Sequence, residues 1–216
     1  MKRIDILTKD HYSLAAHLFE PQISNQKVLL INSATGVKQQ IYFSVAQFFA
    51  DHGFTVITYD YRGIGLSKPH KMRGFEASMR VWGTTDYQAL TDYIKSNFED
   101  YKKYCLGHSV GALILGMNPD SEIFEEFIFV GTQNAFVGNL RLKTKIEAYL
   151  GFGIVQPLFT LFLGYFPASW FGLGESLPSG SAFDWRILII NKKSTNNLLE
   201  KSADFSKKLR QKVLVI

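Results

Sequence analysis

The stretch from Tyr104 to Leu113, YCLGHSVGAL, decides the fold. Its centre, Gly107-His108-Ser109-Val110-Gly111, has the pattern G-x-S-x-G, with an apolar strand-like run before it and a helix-like run from Val110 to Met117 after it. This strand–turn–helix context is typical of a nucleophile elbow, in which a serine stands on a strained turn above a sheet. Glycines on both sides allow the strand and the helix to approach closely. The pattern predicts Ser109 as a catalytic nucleophile.

The beginning of the helix after Ser109 adds a second chemical element. A helix N-terminus carries partial positive charge, so the amide of Val110 is predicted to stabilise an oxyanion that develops next to Ser109. The plain structural alternative is that Ser109 only caps the helix that starts at Val110. The pentapeptide by itself leaves both interpretations open.

Elsewhere in the first 136 residues, short apolar runs alternate with stretches of helical spacing. The pattern begins with an antiparallel hairpin over Ile4 to Glu20. The alternation predicts an α/β fold with a mainly parallel sheet flanked by helices. The predicted strands are Lys27 to Asn32, Phe54 to Tyr59, Lys103 to Leu106 and Phe127 to Val130; the predicted helices are Gln40 to His52, Trp82 to Phe98 and Val110 to Met117.

Residues 137–185 interrupt the alternation, because no charged residue occurs from Ala148 to Gly174. Such a stretch is long enough for a transmembrane helix. Pro157, Pro167 and several glycines break it up, and its aromatic residues are not collected into two belts. We therefore favour an apolar cap inserted into the core, with an anchor that lies on a membrane surface as a further alternative.

After the cap, the chain returns to core-like patterns. Arg186 to Asn191 is apolar, Asn197 to Leu209 has helical spacing, and Lys212 to Ile216 is predicted as another buried strand. The predicted organisation is a core over residues 1–136, a cap over residues 137–185 and a return to the core over residues 186–216.

A second motif makes a family resemblance specific. Asp60 to Ser67 reads DYRGIGLS, a D-x-R-G-x-G-x-S turn that directly follows the second predicted parallel strand. Together with G-x-S-x-G, it resembles the α/β-hydrolase fold family over nearly the whole chain. The loop Asn32 to Val37 (NSATGV) with Tyr42, and the segment from Leu177 to Arg186, resemble a bacterial esterase-like branch.

This resemblance implies roles for further residues. The loop after the first buried strand supplies the second oxyanion-hole amide in the family, which corresponds to Ala34 or Thr35 here. The best-known form of that loop carries His-Gly, and this chain lacks that pair. Asp60 and Arg62 correspond to organisers of a structural loop beside the active site.

A serine nucleophile needs a histidine base and an orienting carboxylate, which follow it in the chain in α/β-hydrolases. The histidines are His11, His17, His52, His70 and His108, so none follows Ser109. The strand that ends at Ile216 resembles the one that presents the acid. We therefore expect these residues to lack the triad acid, the histidine, and the last strand and helix of the fold.

Other candidates for the missing groups have simpler interpretations. Asp120, Asp184 and Asp204 are predicted to be surface residues. His52 and His70 are placed in loops, and His108 is placed beside the elbow, facing away from the hydroxyl of Ser109.

Composition narrows the remaining classes. The net charge is +5, but the basic residues are scattered, so no nucleic-acid-binding stripe is predicted. The single cysteine, Cys105, allows no internal disulfide, and the N-terminus lacks a signal sequence, which favours the cytoplasm. No metal-ligand spacing and no dinucleotide fingerprint occur, so no metal and no cofactor are expected. The sequence does not indicate an oligomeric state.

The function predicted from these features is that of a serine hydrolase. It would cleave an ester, thioester or amide with a hydrophobic acyl part through an acyl-serine intermediate, and activity would be impaired without the acid and histidine. Its partner would be a small-molecule acyl substrate, with weak membrane-surface contact through the cap. The alternatives are a non-catalytic remnant or lipid- or partner-binding module with a hydrolase fold, and an acyltransferase.

Overall fold

A computed structural model of the chain describes residues 1–132 and 134–216. The strands are β1 (Lys2–Leu7), β2 (Ser13–Phe19), β3 (Lys27–Asn32), β4 (Phe54–Tyr59), β5 (Lys102–His108), β6 (Glu126–Val130), β7 (Tyr165–Phe166), β8 (Leu177–Pro178) and β9 (Lys212–Val215). The α-helices are α1 (Phe43–Asp51), α2 (Met79–Val81), α3 (Tyr87–Asn97), α4 (Val110–Leu113), α5 (Leu142–Leu150), α6 (Gln156–Leu163), α7 (Ser179–Ile190) and α8 (Thr195–Glu200). A π-helical turn, Trp82–Asp86, joins α2 to α3.

Seven strands form one sheet in the order β1-β2-β4-β3-β5-β6-β9. The β1–β2 hairpin and the β2–β4 pair are antiparallel, and every other pair in this sheet is parallel. The mainly parallel sheet predicted from the sequence is therefore confirmed.

The core lies on both faces of this sheet, as β3 shows most clearly. Val28 and Leu30 pack into one apolar cluster, with Trp82 and Tyr59, while Leu29 and Ile31 pack into the other. Successive side chains of a strand point to opposite faces, so an unbroken apolar run requires cover on both sides.

The last strand differs from its prediction. β9 pairs with β6 on one side only and forms an edge of the sheet, so its apolar side chains are exposed rather than buried. Val213 is 46% exposed and Val215 is 64% exposed. An apolar run indicates that a strand favours burial, but the run does not provide the neighbours that would cover it.

Residues 137–185 contain a long helix that we call the cap helix, Leu142–Leu163, made of α5, the π-helical turn Gly151–Val155 and α6. Pro157 directly follows the π-helical turn, where the regular hydrogen-bond pattern of the helix is already interrupted. Gly164 ends the helix in the left-handed conformation. The cap helix is long and apolar enough to cross a membrane by length and composition, with a mean hydropathy of 1.5 and only 11% of its apolar window buried.

Two features after the cap differ from the sequence pattern. The predicted division at residue 185 lies inside the continuous helix α7, so the three-part organisation stays a prediction with its boundary in a helix. The helix predicted over Asn197 to Leu209 is confined to α8, with a separate 3-10 turn at Ser206–Lys208. The side chain of Asp204 accepts the Ser206 amide at 3.0 Å, which starts this new turn.

Candidate active site

Ser109 occupies the turn between β5 and α4, with φ 53° and ψ −115°. A non-glycine residue in this region is strained by about 1–3 kcal/mol, and such strain is concentrated at functional sites. Strand β5 ends at His108 and the helix begins at Val110, so the chain reverses around this single residue. The side chain of Ser109 is exposed above the sheet, as a nucleophile elbow requires.

The two glycines of the motif allow this turn. A β-carbon at Gly107 would lie 2.6 Å from the backbone of Ala112, and one at Gly111 would lie 2.3 Å from the carbonyl oxygen of Asn32. Both distances are far inside van der Waals contact. The turn therefore requires glycine at these positions for steric reasons.

The capping interpretation of Ser109 does not fit the geometry. Its side chain accepts no hydrogen bond from the beginning of α4. Within the described part of the chain the Ser109 hydroxyl has no hydrogen-bond partner, although the Ser109 amide donates to the Val130 carbonyl at 3.0 Å. The hydroxyl is thus available to a reactant.

The loop after β3 lies next to this turn because the strands pair in register. Asn32 is opposite Gly107 in the parallel β3–β5 pair. The Asn32 side chain donates to the Gly111 carbonyl at 3.2 Å and accepts the Tyr59 hydroxyl at 2.9 Å. Asn32 therefore fastens the loop to the elbow.

The two predicted oxyanion-hole amides of this loop differ in their partners. The Ala34 amide donates to the Tyr42 hydroxyl at 2.9 Å. Thr35 is half-buried, and its amide makes no hydrogen bond to the part of the chain that is described. The Val110 amide is the first of its helix and has no intrahelical acceptor. Sequence reasoning noted Tyr42 only as an aromatic of the resembling loop and missed its hydrogen bond to the site.

His108 faces Tyr42 rather than Ser109. Its Nδ1 atom lies 2.9 Å from the Tyr42 hydroxyl oxygen. Burial lowers the pKa of His108 below its usual value and raises the pKa of Tyr42. Both groups are therefore held neutral near neutral pH, and His108 lies in the hydrogen-bond chain behind the oxyanion loop.

The other histidines lie elsewhere in the fold. His17 Nδ1 lies 2.9 Å from the side chain of Gln39, and His52 Nδ1 lies 2.7 Å from the Phe48 carbonyl at the end of α1. His11 and His70 are exposed. No histidine among the described residues contacts the Ser109 hydroxyl, so the base is not provided by any of them in this arrangement.

The D-x-R-G loop is held by two buried charges. Asp60 accepts the Gln39 amide at 2.8 Å and the Leu66 amide at 2.9 Å. Arg62 donates to Asp86 at 2.6 Å and, from its other nitrogens, to Asp10 at 2.6 and 2.9 Å. These contacts agree with the role of loop organisers expected for Asp60 and Arg62.

The Arg62 cluster perturbs its two carboxyl groups in opposite directions. Hydrogen bonding from Arg62 lowers the pKa of Asp10, which is partly exposed. Burial raises the pKa of Asp86 to about 7 and outweighs the opposing effect of Arg62, and the nearby charge of Asp10 adds to the increase. This cluster shapes the loop and does not contact Ser109.

One of the three acids predicted at the surface is buried. Asp184 is 1% exposed and accepts the Arg80 side chain at 3.2 Å, and burial raises its pKa. The sequence pattern missed this, because Asp184 lies in α7, whose inner face packs on α2. Asp120 pairs with Lys95 at 2.5 Å, and Asp204 is exposed beside Ser206.

The carboxyl ends of the five parallel strands β4, β3, β5, β6 and β9 lie at the same edge of the sheet as Ser109. β5 leads into the elbow, and β6 leads into Gly131, whose amide donates to the Ile216 carbonyl at 3.2 Å. The end of β9 therefore lies one strand further along the same edge. Ligands of open parallel sheets bind at this edge.

A cavity of about 680 Å³ lies elsewhere in the fold than the elbow of Ser109. It is lined by Asp10, Arg62, Phe75 and Ser179, among others, and Ser109 is not among its lining residues. The elbow, and not this cavity, presents a nucleophilic side chain without a hydrogen-bond partner among the described residues.

Comparisons with known proteins bear on the family and the fold. The model of a family described as Hydrolase_4, serine aminopeptidase S33, matches residues 24–118. That range contains the loop after β3, the D-x-R-G turn and the elbow. Over that range, which is less than half of the chain, the sequence is similar to this hydrolase family. The sequence of the chain matches no curated protein significantly.

Solved structures share the α/β-hydrolase fold at low sequence identity. A thermostable carboxyl esterase from Bacillus coagulans is 15% identical with a TM-score of 0.56; the match covers 76% of this chain and 51% of the esterase. A lipase in its open form is 16% identical with a TM-score of 0.61, covering 100% and 79%. The hypothetical protein PA2218 from Pseudomonas aeruginosa is 13% identical with a TM-score of 0.58, covering 100% and 84%. This chain thus spans about half the length of the esterase.

Proposed function

We propose that the protein is a serine hydrolase that cleaves an ester, thioester or amide with a hydrophobic acyl part. The strained elbow that presents the free Ser109 hydroxyl carries this proposal. The Ser109 oxygen attacks the carbonyl carbon and its proton passes to a base. The bond from that carbon to the leaving group then breaks, and water hydrolyses the acyl-serine.

The charge that develops on the carbonyl oxygen is stabilised by amides on both sides of Ser109. The Val110 amide at the start of α4 is one donor. The loop of Ala34 and Thr35 lies beside the elbow through the β3–β5 register and supplies the second. Because the Ala34 amide donates to Tyr42 in this structure, the Thr35 amide is the freer of the two.

Residues 1–216 hold no histidine in contact with Ser109 among those described. Removal of the base from a serine triad costs about 10⁶-fold in kcat. We therefore expect these residues by themselves to acylate slowly and turn over poorly, with the elbow and the oxyanion amides still in place.

The apolar character of the proposed substrate rests on the sequence of the cap alone, because the exposed apolar side chains of the cap helix lie on its outer face. Residues 148–174 contain no charged side chain. A carboxyl esterase and a lipase share the fold, which supports a carboxylic ester as the bond to test first.

The test is acylation of Ser109 with an external base. The chain is incubated with p-nitrophenyl butyrate with and without imidazole, which can reach the exposed hydroxyl, and the butyryl adduct is located by peptide mass spectrometry. We expect an adduct on Ser109 that imidazole accelerates, and no adduct at that site in Ser109→Ala. Acylation spread equally over other serines, with none favoured, would contradict a nucleophilic Ser109.

One alternative is favoured by a specific observation. The absence of a histidine beside Ser109 among the described residues, together with an exposed apolar cap, fits a lipid-binding module with a hydrolase fold. Saturable binding of a fluorescent fatty-acyl probe without any Ser109 adduct, even in imidazole, would select this alternative.

A further inference from the structure

The cap helix has polar side chains on its buried inner face and apolar side chains on its exposed outer face, which is the reverse of an ordinary surface helix. Gln156 and Thr160 are each 1% exposed, and their side chains hydrogen-bond to one another at 3.1 Å on the inner face. Apolar residues at a spacing of mostly four lie on the outer face and are 48–72% exposed. We call them the cap face: Leu142, Ile146, Leu150, Ile154, Leu158 and Leu161.

Aromatic side chains extend the cap face at its C-terminal end. Phe162 is 73% exposed and Trp170 is 66% exposed. Trp170 is held beside the helix, because its ring contacts the Phe159 ring at a centroid distance of 6.1 Å. A tryptophan whose ring contacts apolar groups while its polar edge stays in water is typical of the membrane interface.

Basic residues stand at the other end. Arg141 and Lys143 are exposed, Lys145 is half-buried, and the single acid of the helix, Glu147, lies 4.0 Å from Lys143. The end of the helix is thus net positive, on a chain whose net charge is +5. An apolar face with tryptophan and nearby lysine and arginine is the composition of a helix that lies in a membrane interface.

From this arrangement, we infer that the cap face docks on the surface of an anionic lipid bilayer. The helix lies along the surface with its outer face among the acyl chains and the basic residues at the head groups. A protein partner fits less well, because protein interfaces carry about one hydrogen bond per 100–200 Å² and a polar rim, whereas the cap face offers apolar side chains only. Anionic lipids of the cytoplasmic leaflet match the predicted compartment.

The same structure argues for a helix that lies on the membrane over one that spans it. The inner face packs on the protein, where Arg186 donates to the Phe152 carbonyl at 2.9 Å and Arg73 donates to the Phe162 carbonyl at 2.6 Å. A spanning helix would have to leave these contacts and expose Gln156 and Thr160 to lipid. This docking is independent of whether Ser109 is a nucleophile.

The test is sedimentation of the chain with phosphatidylcholine vesicles that contain either no phosphatidylserine or about a third of it. We expect binding to the anionic vesicles that weakens about fivefold for each of Arg141→Gln and Lys143→Gln and falls with added salt. Leu161→Ser/Phe162→Ser should weaken it about 10- to 100-fold. The matched control, Ile23→Ser/Ile41→Ser, removes side chains that are 85% and 70% exposed on other parts of the fold and should bind as the parent does.

A second readout places the contact. The Trp170 fluorescence should shift to the blue on anionic vesicles. Trp170→Phe should remove most of the shift, since Trp82 is buried and Trp185 is half-buried against Phe152. A chain that stays in the supernatant at every composition overturns the inference, as does equal binding by Leu161→Ser/Phe162→Ser. Equal binding to neutral vesicles would remove the anionic requirement, and binding that resists alkaline extraction would indicate a spanning helix instead. A dimer that dissociates in Leu161→Ser/Phe162→Ser and binds no vesicles would assign the cap face to a second copy.

Discussion

Replacing Ser109 by glycine should stabilise the protein while it removes the nucleophile. The backbone at this position has φ 53° and ψ −115°, which costs a residue with a β-carbon about 1–3 kcal/mol. Glycine adopts the conformation without that strain but loses about 0.5–1 kcal/mol through the greater freedom of the unfolded chain. The net gain is roughly 1 kcal/mol, or about 2–4 °C in Tm for a domain of this size.

Two variants isolate the strain. Ser109→Ala keeps the β-carbon and therefore the strain, and the hydroxyl has no hydrogen bond to lose among the described residues, so its stability should stay within about 0.5 kcal/mol of the parent. Ser44→Gly replaces an exposed serine inside α1 and should destabilise by about 0.5–1 kcal/mol.

The measurement is urea unfolding of the parent and the three variants, followed by circular dichroism at one protein concentration. The expected order of stability is Ser109→Gly first, then the parent together with Ser109→Ala, then Ser44→Gly. If Ser109→Gly is no more stable than Ser109→Ala, the elbow stores no strain and the geometric argument for a nucleophile fails.

Three further predictions address the elbow, the oxyanion loop and the charged loop. Gly111→Ala places a β-carbon 2.3 Å from the Asn32 carbonyl oxygen and should destabilise by about 1–3 kcal/mol in urea unfolding, with Gly151→Ala, where the β-carbon meets open space, as the control. Tyr42→Phe removes the acceptor of the Ala34 amide and should change the imidazole-dependent rate of Ser109 acylation, with a smaller effect on the free energy of unfolding. An unchanged acylation rate would show that Tyr42 has no role in the site. Asp86→Asn should flatten the pH dependence of stability between about pH 4 and pH 7. The pKa of the Asp86 carboxyl rises from 3.8 to about 7 on folding, so its contribution to stability is complete below the unfolded-state pKa and is lost as the pH rises through the folded-state pKa. A stability profile of Asp86→Asn as steep as that of the parent would contradict this.

The alternation of apolar runs predicted most of the sheet for a physical reason. Strands such as β3 are buried on both faces, so nearly every residue in the strand is apolar and the sequence itself indicates that the strand is buried. The elbow was equally predictable, because a strained turn between a strand and a helix needs glycine on both sides of Ser109. Both features are local, and local chemistry determines them.

The features that the sequence did not show depend on distant neighbours. Asp184 is buried because α7 packs against α2, which no periodicity around Asp184 reveals. The exposure of β9 depends on what lies beyond the sheet edge, and the hydrogen bond from Ala34 to Tyr42 depends on how the loop folds back on α1. In each case the residue type is compatible with a buried or an exposed position, or with a bonded or an unbonded group, and the tertiary arrangement determines which of them occurs.

The hydrogen-bond chain behind the oxyanion loop connects these local and distant features. The Tyr42 oxygen accepts the Ala34 amide and lies 2.9 Å from His108 Nδ1. When Nδ1 carries no proton, the Tyr42 hydroxyl donates to it, and the hydrogen bonds run in one direction from the Ala34 amide through Tyr42 to His108. When Nδ1 carries the proton, it donates to the Tyr42 oxygen, which then accepts from both His108 and the Ala34 amide. The tautomer of the histidine adjacent to the nucleophile in sequence thus sets the direction of the hydrogen bond between Tyr42 and His108, behind the oxyanion loop.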